Sequence, residues 1–598
     1  MFRFLKRLGV LFGNEDRWSF FFLALATLFN SLLEVLGIGL MIPFISLLAH
    51  PEMLDTNVYL RNIYHIFSFH SFLQFTVTLD VVIIAVFVVK NAVLLLVTFL
   101  QTKFIFNKQS QICSRLFQAY LLSPYSFHLQ RNLGHFQEKL RRVEELMQAG
   151  ILSVLIIFTE GLLVACLFMM LIRTNPILTI IAMAVLSGGL MLYFRFLKDK
   201  LYYWGEINGR HGALAMQQVN QGLGSIKESK LLGKELFFVK SFYHYEHQKA
   251  LQHYKSDLVI KSPRLFIETA VVAMVMSAMA ICLLSGEPPR NVFATISVFA
   301  IVTLRLMPSL NRISSSWGGL RFFIPSFDAI YEDLTECEKL SSMQRERTSG
   351  PPLVFHKEIQ MKNVVFFYEN AKSPALNGIS LTIMKNSVVG FIGPSGAGKT
   401  SAIDVMLGLL DPSSGRVTVD GVDIHSHLRS WQTTIGYIPQ VIYLCDDTIR
   451  RNVAFGMEMS QIDDERVWRA LRLAQMEEVV RSLPQGIETT VGERGVRLSG
   501  GQRQRIGIAR ALYHDPQVLV MDEATAALDN ETERLFMSAL FGLSKEKTII
   551  IIAHRLTTVQ QCDHIFFLKN GQLIAEGRYD ELSHHCPEFH QMEMVKHF

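Results

Sequence analysis

The chain has 598 residues, of which 50% are hydrophobic, and its mean hydropathy is +0.26. It is too long for one domain and more apolar than is usual for a soluble protein. The net charge of +5 is small, and no compact basic patch with interleaved aromatic residues is present, so nucleic acid is not an expected partner. The seven cysteines have no metal-binding spacing, which predicts free thiols.

The first half of the chain has the composition of a membrane domain. Met1–Trp18 mixes aromatic, aliphatic and basic residues and predicts an amphipathic helix on a membrane surface. Six apolar stretches follow, each long enough, or nearly so, to cross a hydrocarbon core of about 30 Å as a helix. They are Phe20–Leu48, Val77–Phe106, Gly150–Ile172, Pro176–Leu197, Phe266–Leu284 and Val292–Met307.

The connections between these stretches alternate in length and charge. The second and fourth connections are long, helical in pattern and rich in lysine and arginine, so they and both termini are expected in the cytoplasm. The spanning helices should therefore extend well beyond the bilayer. Each long connection contains a turn, at Ser123–His128 and at Gln221–Glu228, where contact with a cytoplasmic motor is expected.

Several ionisable residues fall within or beside the apolar stretches. They are Glu34, Asp80, Lys90, Glu160, Arg264, Glu268 and Arg305. Charges at membrane depth are costly and usually face the interior of the protein or a cavity. One interpretation is structural pairing or snorkelling at the span ends. The other is that Lys90, Arg264 and Arg305 line a path for an anionic cargo.

The second half alternates strands and helices. Residues 1–335 are assigned to the transmembrane domain, the charged segment 336–352 to a linker, and 353–598 to an α/β domain. An apolar strand pattern precedes Gly393 and a helical pattern follows Thr400, which is the context that a P-loop requires. The loop residues are Gly393, Pro394, Ser395, Gly396, Ala397, Gly398, Lys399 and Thr400, with Ser401 directly after them.

This loop predicts a nucleotide site. Its glycines allow backbone N–H groups to point at phosphate oxygens, and the helix N-terminus adds partial positive charge. Lys399 would reach the β- and γ-phosphates of ATP, and Thr400 would hold Mg²⁺. Tyr368, about 25 residues earlier along the chain, is placed to stack on the base.

A second strand pattern, Val518–Glu523, ends in two carboxylates. Asp522 would help to hold Mg²⁺, and Glu523 would polarise the attacking water. His554 follows another strand pattern and would contact the γ-phosphate and orient Glu523. Gln440 would reach Mg²⁺ and report the nucleotide state to the membrane helices.

A further glycine-containing motif opens a helix. Its residues after Leu498 are Ser499, Gly500, Gly501 and Gln502, which offer a second phosphate-binding helix N-terminus. One ATP does not need two such cradles in one chain. One solution is a dimer in which each ATP lies between the P-loop of one chain and this motif of the other.

Taken together, these motifs resemble those of an ABC ATPase. Tyr368, Gly393–Thr400, Gln440, Leu498–Gln502, Asp522-Glu523, Ala527–Asp529 and His554 correspond to its A-loop, Walker A, Q-loop, signature, Walker B, D-loop and H-loop. Thr490–Gly495 resembles the X-loop of exporters. The resemblance implies a six-helix, type IV exporter domain followed by an ABC nucleotide-binding domain, with ATP and Mg²⁺ as ligands and a homodimer with two competent sites.

A narrower resemblance is to the PglK-type lipid-linked oligosaccharide flippases of bacterial N-glycosylation. It rests on Glu34, Met41–Phe44, Ser262–Arg264, Glu268 and Leu304–Ile313. It implies flipping of a polyprenyl-pyrophosphate glycan across the bacterial inner membrane, with Arg264 and Arg305 matching basic cavity residues. Lys90 stands where that family is expected to have Arg, which keeps the charge but loses the bidentate fork.

Two other functions stay open on the sequence. An exporter of lipids such as lipid A, of hydrophobic drugs or of peptides would share every ATPase motif. An ATP-gated channel or membrane-bound sensor is disfavoured, because Glu523 and His554 are suited to repeated turnover. In each case the chain is expected to be a multi-pass inner-membrane protein with a cytoplasmic ATPase domain.

Overall fold

A computed structural model of the chain describes residues 4, 7–9, 14–49, 51–52, 58–66, 69–174, 176–284, 289–346, 353–369, 371–524, 530–553 and 556–595. The chain divides into two compact units. The first comprises Met1–Ser123 and Leu129–Lys339, and the second comprises Pro124–His128 and Leu340–Phe598. Half of the predicted surface helix and the end of the predicted linker lie outside the described residues.

The described part of the first unit is helical. Its helices, with the short α4 that belongs to the second unit, are α1 (Asn14–Ala49), α2 (Val58–Ile66), α3 (Phe72–Leu121), α4 (Tyr125–Leu129), α5 (Leu133–Glu145), α6 (Leu152–Thr174), α7 (Pro176–Gly224), α8 (Ile226–Leu231), α9 (Glu235–Lys261), α10 (Pro263–Leu284) and α11 (Pro289–Glu346).

Four helical segments among the described residues are long and apolar enough to cross a membrane. They are Trp18–Met41, Phe72–Leu121, Leu133–Ile172 and Thr179–Gly224. The fifth and sixth predicted stretches lie in α10 and α11, which are not among these four segments. The count of six spans therefore stays a prediction. Large apolar side chains face outward, and Leu95 of α3 is 73% exposed. Such faces suit a lipid surrounding.

Three helices are much longer than a bilayer is thick. Helix α3 has 50 residues, α7 has 49 and α11 has 58. At about 1.5 Å per residue each reaches roughly 75 Å or more, compared with a hydrocarbon core of about 30 Å. Helices α7 and α11 also approach closely, since a Cβ on Gly205 would lie 1.9 Å from the carbonyl oxygen of Phe322. The extensions therefore pack against each other by backbone contact.

Helices α5 and α6 are joined without a break. The connecting residues, Leu146–Ile151, form one π-helical turn, and the residues that flank it, Glu145 and Leu152, have ordinary α-helical dihedrals. A π turn accommodates one residue more than an α turn, and such turns are often found at functional sites. Gln148 of this turn lines the cavity described below.

The second unit has two sheets. Its strands are β1 (Glu358–Phe366), β2 (Leu376–Met384), β3 (Val388–Ile392), β4 (Ser414–Val419), β5 (Val422–Asp423), β6 (Ile435–Ile438), β7 (Val518–Asp522), β8 (Thr548–Ile552), β9 (His564–Lys569) and β10 (Gln572–Gly577). The antiparallel sheet has the order β2-β1-β4-β5, and the other sheet has the order β10-β9-β3-β8-β7-β6. In the larger sheet only β10 runs antiparallel to its neighbour.

The second unit also contains helices among its described residues. They are α12 (Lys399–Met406), α13 (Leu428–Thr433), α14 (Ile449–Val453), α15 (Asp464–Leu473), α16 (Glu477–Ser482), α17 (Gly500–Leu512), α18 (Asn530–Gly542), α19 (Leu556–Val559), α20 (Tyr579–His585) and α21 (Pro587–Val595). Strands β3, β7 and β8 are buried along their whole length. Continuous apolar strands are typical of a parallel sheet covered on both faces, and this rigid centre positions the loops that follow.

Candidate functional site

The P-loop follows the central strand of the larger sheet. Phe391 of β3 pairs with Ile552 of β8, which pairs in turn with Asp522 of β7. The ends of β3 and β7 are therefore level, and Gly393 begins directly beyond this edge. Ligands of open α/β sheets bind outside the carboxyl ends of parallel strands, so the topology brings the predicted phosphate loop and the two predicted carboxylates to one edge.

Two glycines of the loop occupy positions where a side chain would collide with a backbone carbonyl oxygen. Gly393 has φ 153°, and a Cβ there would lie 2.0 Å from the carbonyl oxygen of Leu568. Gly398, the N-cap of α12, has φ 95°, and a Cβ there would lie 2.7 Å from the carbonyl oxygen of Ala375. The loop therefore keeps its backbone conformation only because these two side chains are absent.

Lys399 is held over the loop that precedes it. Its ammonium donates hydrogen bonds to the carbonyl oxygens of Gly393, at 2.8 Å, and Pro394, at 3.1 Å, and the residue is 5% exposed. Thr400 is exposed in the first turn of α12. Lys399 and Thr400 are thus the first two residues of a helix, and a helix N-terminus is suited to binding polyphosphate.

Tyr368 lies close to the same helix. Its hydroxyl is 2.9 Å from the Ser401 hydroxyl, and its ring packs edge-on against Phe366 with centroids 4.9 Å apart. The ring is partly exposed. This arrangement leaves an aromatic face beside the P-loop, as base stacking would require.

Glu523 has an unusual backbone conformation, which its residue type does not predict. Its φ is 48°, in the left-handed region, and its N–H donates to the carbonyl oxygen of Ile552 at 3.2 Å. A non-glycine residue in this region costs free energy, and such strain concentrates at functional sites. The side chain accepts a hydrogen bond from Gln440 Nε2 at 2.8 Å. The predicted base and the predicted Q-loop residue are therefore in direct contact.

Asp522 lies near a second acid, Asp404 of α12. Burial, and then the charge of Asp522, raise the pKa of the Asp404 carboxyl to about 6. Two carboxylates that disfavour each other's charge make a fitting environment for a divalent cation. Together with the Thr400 hydroxyl, Asp522 offers the hard oxygen donors that Mg²⁺ prefers, so these residues fit the predicted cofactor.

The signature motif forms a capped helix start. Ser499 is the N-cap of α17, where its hydroxyl accepts from the Gln502 N–H at 3.2 Å while Gln502 Oε1 accepts from the Ser499 N–H at 2.9 Å. This capping box uses both side chains within the chain. The backbone N–H groups of Gly500 and Gly501 begin the helix and are the groups left to bind an anion.

Two predicted elements lie outside the described residues. They are His554 and the segment Ala527–Asp529. Their predicted roles stay predictions.

The first unit contains a cavity of about 690 Å³ that is lined by charged, polar and apolar side chains. Lys90 of α3 and Arg305 of α11 both line it, and both pair with Glu34 of α1. Lys90 Nζ lies 3.6 Å from Glu34 Oε1, and the Arg305 guanidinium lies closer to the same oxygen. Arg312 of α11 lines the cavity as well and pairs with Glu160 of α6 at 2.7 Å.

Arg264 is not brought to this cavity. It lies exposed in the first turn of α10 and is not among the residues that line the cavity. The structure therefore brings together two of the three cations that the sequence predicted for a cargo path. The sequence predicts Glu34 and Glu160 as membrane charges, but their pairings depend on the rotation of separate helices about their axes.

The comparisons with known proteins agree with the motifs. The ABC transporter family profile matches residues 376–526. An ATP-dependent lipid A-core flippase of Saccharophagus degradans is 32% identical over 489 residues, which cover 80% of each chain. This chain belongs to the ABC exporters. A flippase of the same description from Cupriavidus metallidurans is 31% identical over 480 residues, 78% of each chain.

A solved structure agrees on the fold. The bacterial Atm1-family ABC exporter with ATP bound aligns with a TM-score of 0.76 over 95% of this chain and 98% of its own, at 23% identity. The family profile and the flippase relatives show that this exporter is an ATP-hydrolysing half-transporter, with apolar helices followed by an ABC ATPase domain.

Proposed function

We propose that this exporter uses ATP to move a phosphate-bearing glycolipid of the lipid A-core class across the bacterial inner membrane. The observation that carries the proposal is the cavity of about 690 Å³, lined by Lys90 and Arg305 among apolar helices. Cations in a low-dielectric cavity lower the cost of bringing a phosphate group to membrane depth. The relatives named as lipid A-core flippases support this class of cargo.

A polyprenyl-pyrophosphate glycan is the second candidate. Its headgroup also carries phosphate, and Leu304–Ile313 of α11 resembles the corresponding segment of the oligosaccharide flippases. The cavity residues suit either headgroup. The relatives favour the lipid A class, which is why it is placed first.

For the chemical step, we assign Glu523 as the group that accepts a proton from the attacking water. Gln440, hydrogen-bonded to Glu523 at 2.8 Å, would orient that carboxylate. Lys399, placed over the P-loop by two carbonyl oxygens, would bind the phosphate that is transferred. Mg²⁺, when bound, neutralises charge on the phosphate oxygens. His554 would hold the γ-phosphate.

The proposal includes a homodimer. The segment 226–237 exposes a group of apolar side chains, among them Leu231 at 78% and Leu232 at 69% exposure. An exposed apolar patch of this kind is typical of a protein–protein interface. A second copy would cover it and would also supply Ser499–Gln502 to the P-loop of the first, with both ATPase domains in the cytoplasm.

The test is ATPase activity of the purified dimer in lipid nanodiscs with each cargo added separately. Lipid A should stimulate hydrolysis several-fold, and the double variant Lys90→Ala, Arg305→Ala should lose this stimulation. Arg264→Ala is the matched control, because it removes a membrane-edge cation that does not line the cavity.

The outcomes separate the candidates. Stimulation by undecaprenyl-pyrophosphate oligosaccharide and not by lipid A would replace the first candidate with the second. Stimulation by an apolar drug alone, with the double variant unaffected, would make the cations structural and the protein a drug exporter.

A further inference from the structure

Glu34 lies between two of the cations that line the cavity, Lys90 and Arg305. It belongs to α1, it is 7% exposed, and one of its oxygens faces both Lys90 and Arg305. The Lys90 ammonium is also 4.6 Å from the centre of the Phe87 ring. Three helices, α1, α3 and α11, thus meet through one carboxylate.

The neighbouring polar side chains of α1 do not share this role. Thr27 and Ser31 lie on the same face of the helix and line the cavity. Their hydroxyls donate to carbonyl oxygens of α1 itself, that of Ser31 to Thr27 at 3.0 Å. Among the described residues of α1 that line the cavity, Glu34 is the carboxylate, and it pairs with Lys90 and Arg305.

The balance is incomplete in charge and in hydrogen bonds. The described lining residues include three cations, Lys90, Arg305 and Arg312, and two carboxylates, Glu34 and Glu160, so the cavity carries one positive charge in excess. The buried Nε of Arg305 has no hydrogen-bond partner among the described residues. Buried donors are normally satisfied, and an orphan costs free energy. The excess of one cation among the described lining residues gives the cavity capacity for a further anion.

A phosphate group would use this capacity better than Glu34 does. It brings three or more oxygens and up to two negative charges, whereas a carboxylate brings two oxygens and one charge. It can accept hydrogen bonds from Lys90 and from the outer nitrogens of Arg305 at the same time. A neutral headgroup offers no charge and cannot replace the carboxylate.

We infer that Glu34 is an internal counter-ion that occupies Lys90 and Arg305 until a phosphate headgroup displaces it, and so sets the selectivity of the cavity. The inference rests on the proposed function. Because Glu34 is tethered in the cavity, its effective concentration is high, and only a ligand with more charge and more acceptors competes well. Selectivity then comes from rejection of weak anions as well as from attraction of the cargo.

The experiment is a titration of ATPase stimulation in nanodiscs with lipid A and, separately, with the monoanionic phosphatidylglycerol. Glu34→Gln keeps the shape and removes the charge. We expect it to lower the half-maximal concentration of lipid A by about 10-fold and to let phosphatidylglycerol stimulate hydrolysis. Glu34→Asp, which withdraws the carboxylate by one methylene, should shift the half-maximal concentration in the same direction by about 3-fold.

Glu160→Gln is the matched control. It removes the other buried carboxylate of the cavity, whose described partner is Arg312. A shift clearly smaller than that of Glu34→Gln is expected, because the described ion pair of Glu160 is with Arg312 and not with Lys90 or Arg305. An equal shift in Glu160→Gln and Glu34→Gln would overturn the counter-ion role in favour of a general field effect.

The remaining outcomes distinguish this inference from the proposed function. If lipid A stimulates the wild type and the Lys90, Arg305 variant loses this stimulation, but neither Glu34 variant lowers the half-maximal concentration, the inference alone fails. If lipid A and the pyrophosphate lipid both fail to stimulate the wild type, the proposed function fails and the counter-ion role with it. Thermal unfolding of each variant in the nanodisc identifies any that is misfolded, and Glu34→Asp then decides the question.

Discussion

The ATP site and the membrane-unit cavity fix their charged groups in different ways. At the ATP site the backbone does this: Lys399 is held by two loop carbonyl oxygens, and Glu523 by a left-handed φ at the end of β7. In the cavity, charges are held by other charges on different helices, as in the pairing of Glu34 with Lys90 and Arg305. A backbone-held site is rigid and local, whereas a charge-held site can exchange one ion for another.

The largest expected effect is at Glu523. Glu523→Gln keeps the shape and the contact with Gln440 but removes the base, so turnover should fall by about 100-fold or more. ATP binding should persist, because the P-loop is untouched. Hydrolysis rates and binding of labelled ATP check this. Glu531→Gln, at an exposed position of α18, is the control, and wild-type hydrolysis by Glu523→Gln would contradict the assignment.

The next effect tests whether the loop backbone determines nucleotide binding. Gly393→Ala forces a Cβ to within 2.0 Å of the Leu568 carbonyl oxygen at φ 153°, so the loop must move. ATP affinity should fall by more than about 10-fold, with a strain of about 1–3 kcal/mol.

Gly396→Ala is the control for that substitution. Gly396 has φ 78° but open space within 4 Å, so the variant carries backbone strain without the collision. Its loss of ATP affinity, measured by nucleotide titration, should be clearly smaller. Equal losses would mean that the dihedral angle and not the close approach limits the loop.

The smallest effect concerns two like-charged groups at the ATP site, Asp404 and Asp522, which disfavour each other's ionisation. The pKa of Asp404 is raised to about 6 by burial and by Asp522. The folded protein therefore binds this proton more tightly than the unfolded chain, and the stability that the protonated form contributes is lost as the pH rises from about 4 through about 6.

Asp404→Asn should remove that loss. Its melting temperature should exceed that of the wild type at pH 8 by about 2–4 °C, and the difference should shrink towards pH 4. Thermal unfolding across this range is the measurement. The exposed Asp446→Asn serves as the control. A difference that grows as the pH falls would show that Asp404 is not held protonated by its surroundings.

The same contrast explains what could be predicted from the sequence. The P-loop and Asp522 were located because strand, glycine loop and helix are adjacent along the chain, and the spacing of glycines reports the backbone directly. The alternation of strands and helices in the second half was also sufficient to predict the α/β domain.

Prediction of the cavity would require information on how separate helices pack, which is not local in the sequence. Lys90 and Arg305 were picked out as charges in apolar stretches, but so was Arg264, which lies elsewhere. Whether a side chain faces a cavity depends on the rotation of its helix, and apolar stretches in lipid give little periodicity to fix that rotation. The left-handed backbone conformation of Glu523 could not be predicted either, because glutamate is not a residue type that favours it.

The π turn at Leu146–Ile151 has a consequence for comparing this chain with its relatives. Each residue advances an α-helix by about 100°, and the turn inserts one extra residue between α5 and α6. Suppose that a relative lacks this π turn and is aligned with the present chain without a gap. On one side of the turn, the alignment will then pair residues that lie on different faces of the helix. Glu138 and Glu160 lie on opposite sides of this turn, and a one-residue gap placed between them keeps both in phase with their true counterparts.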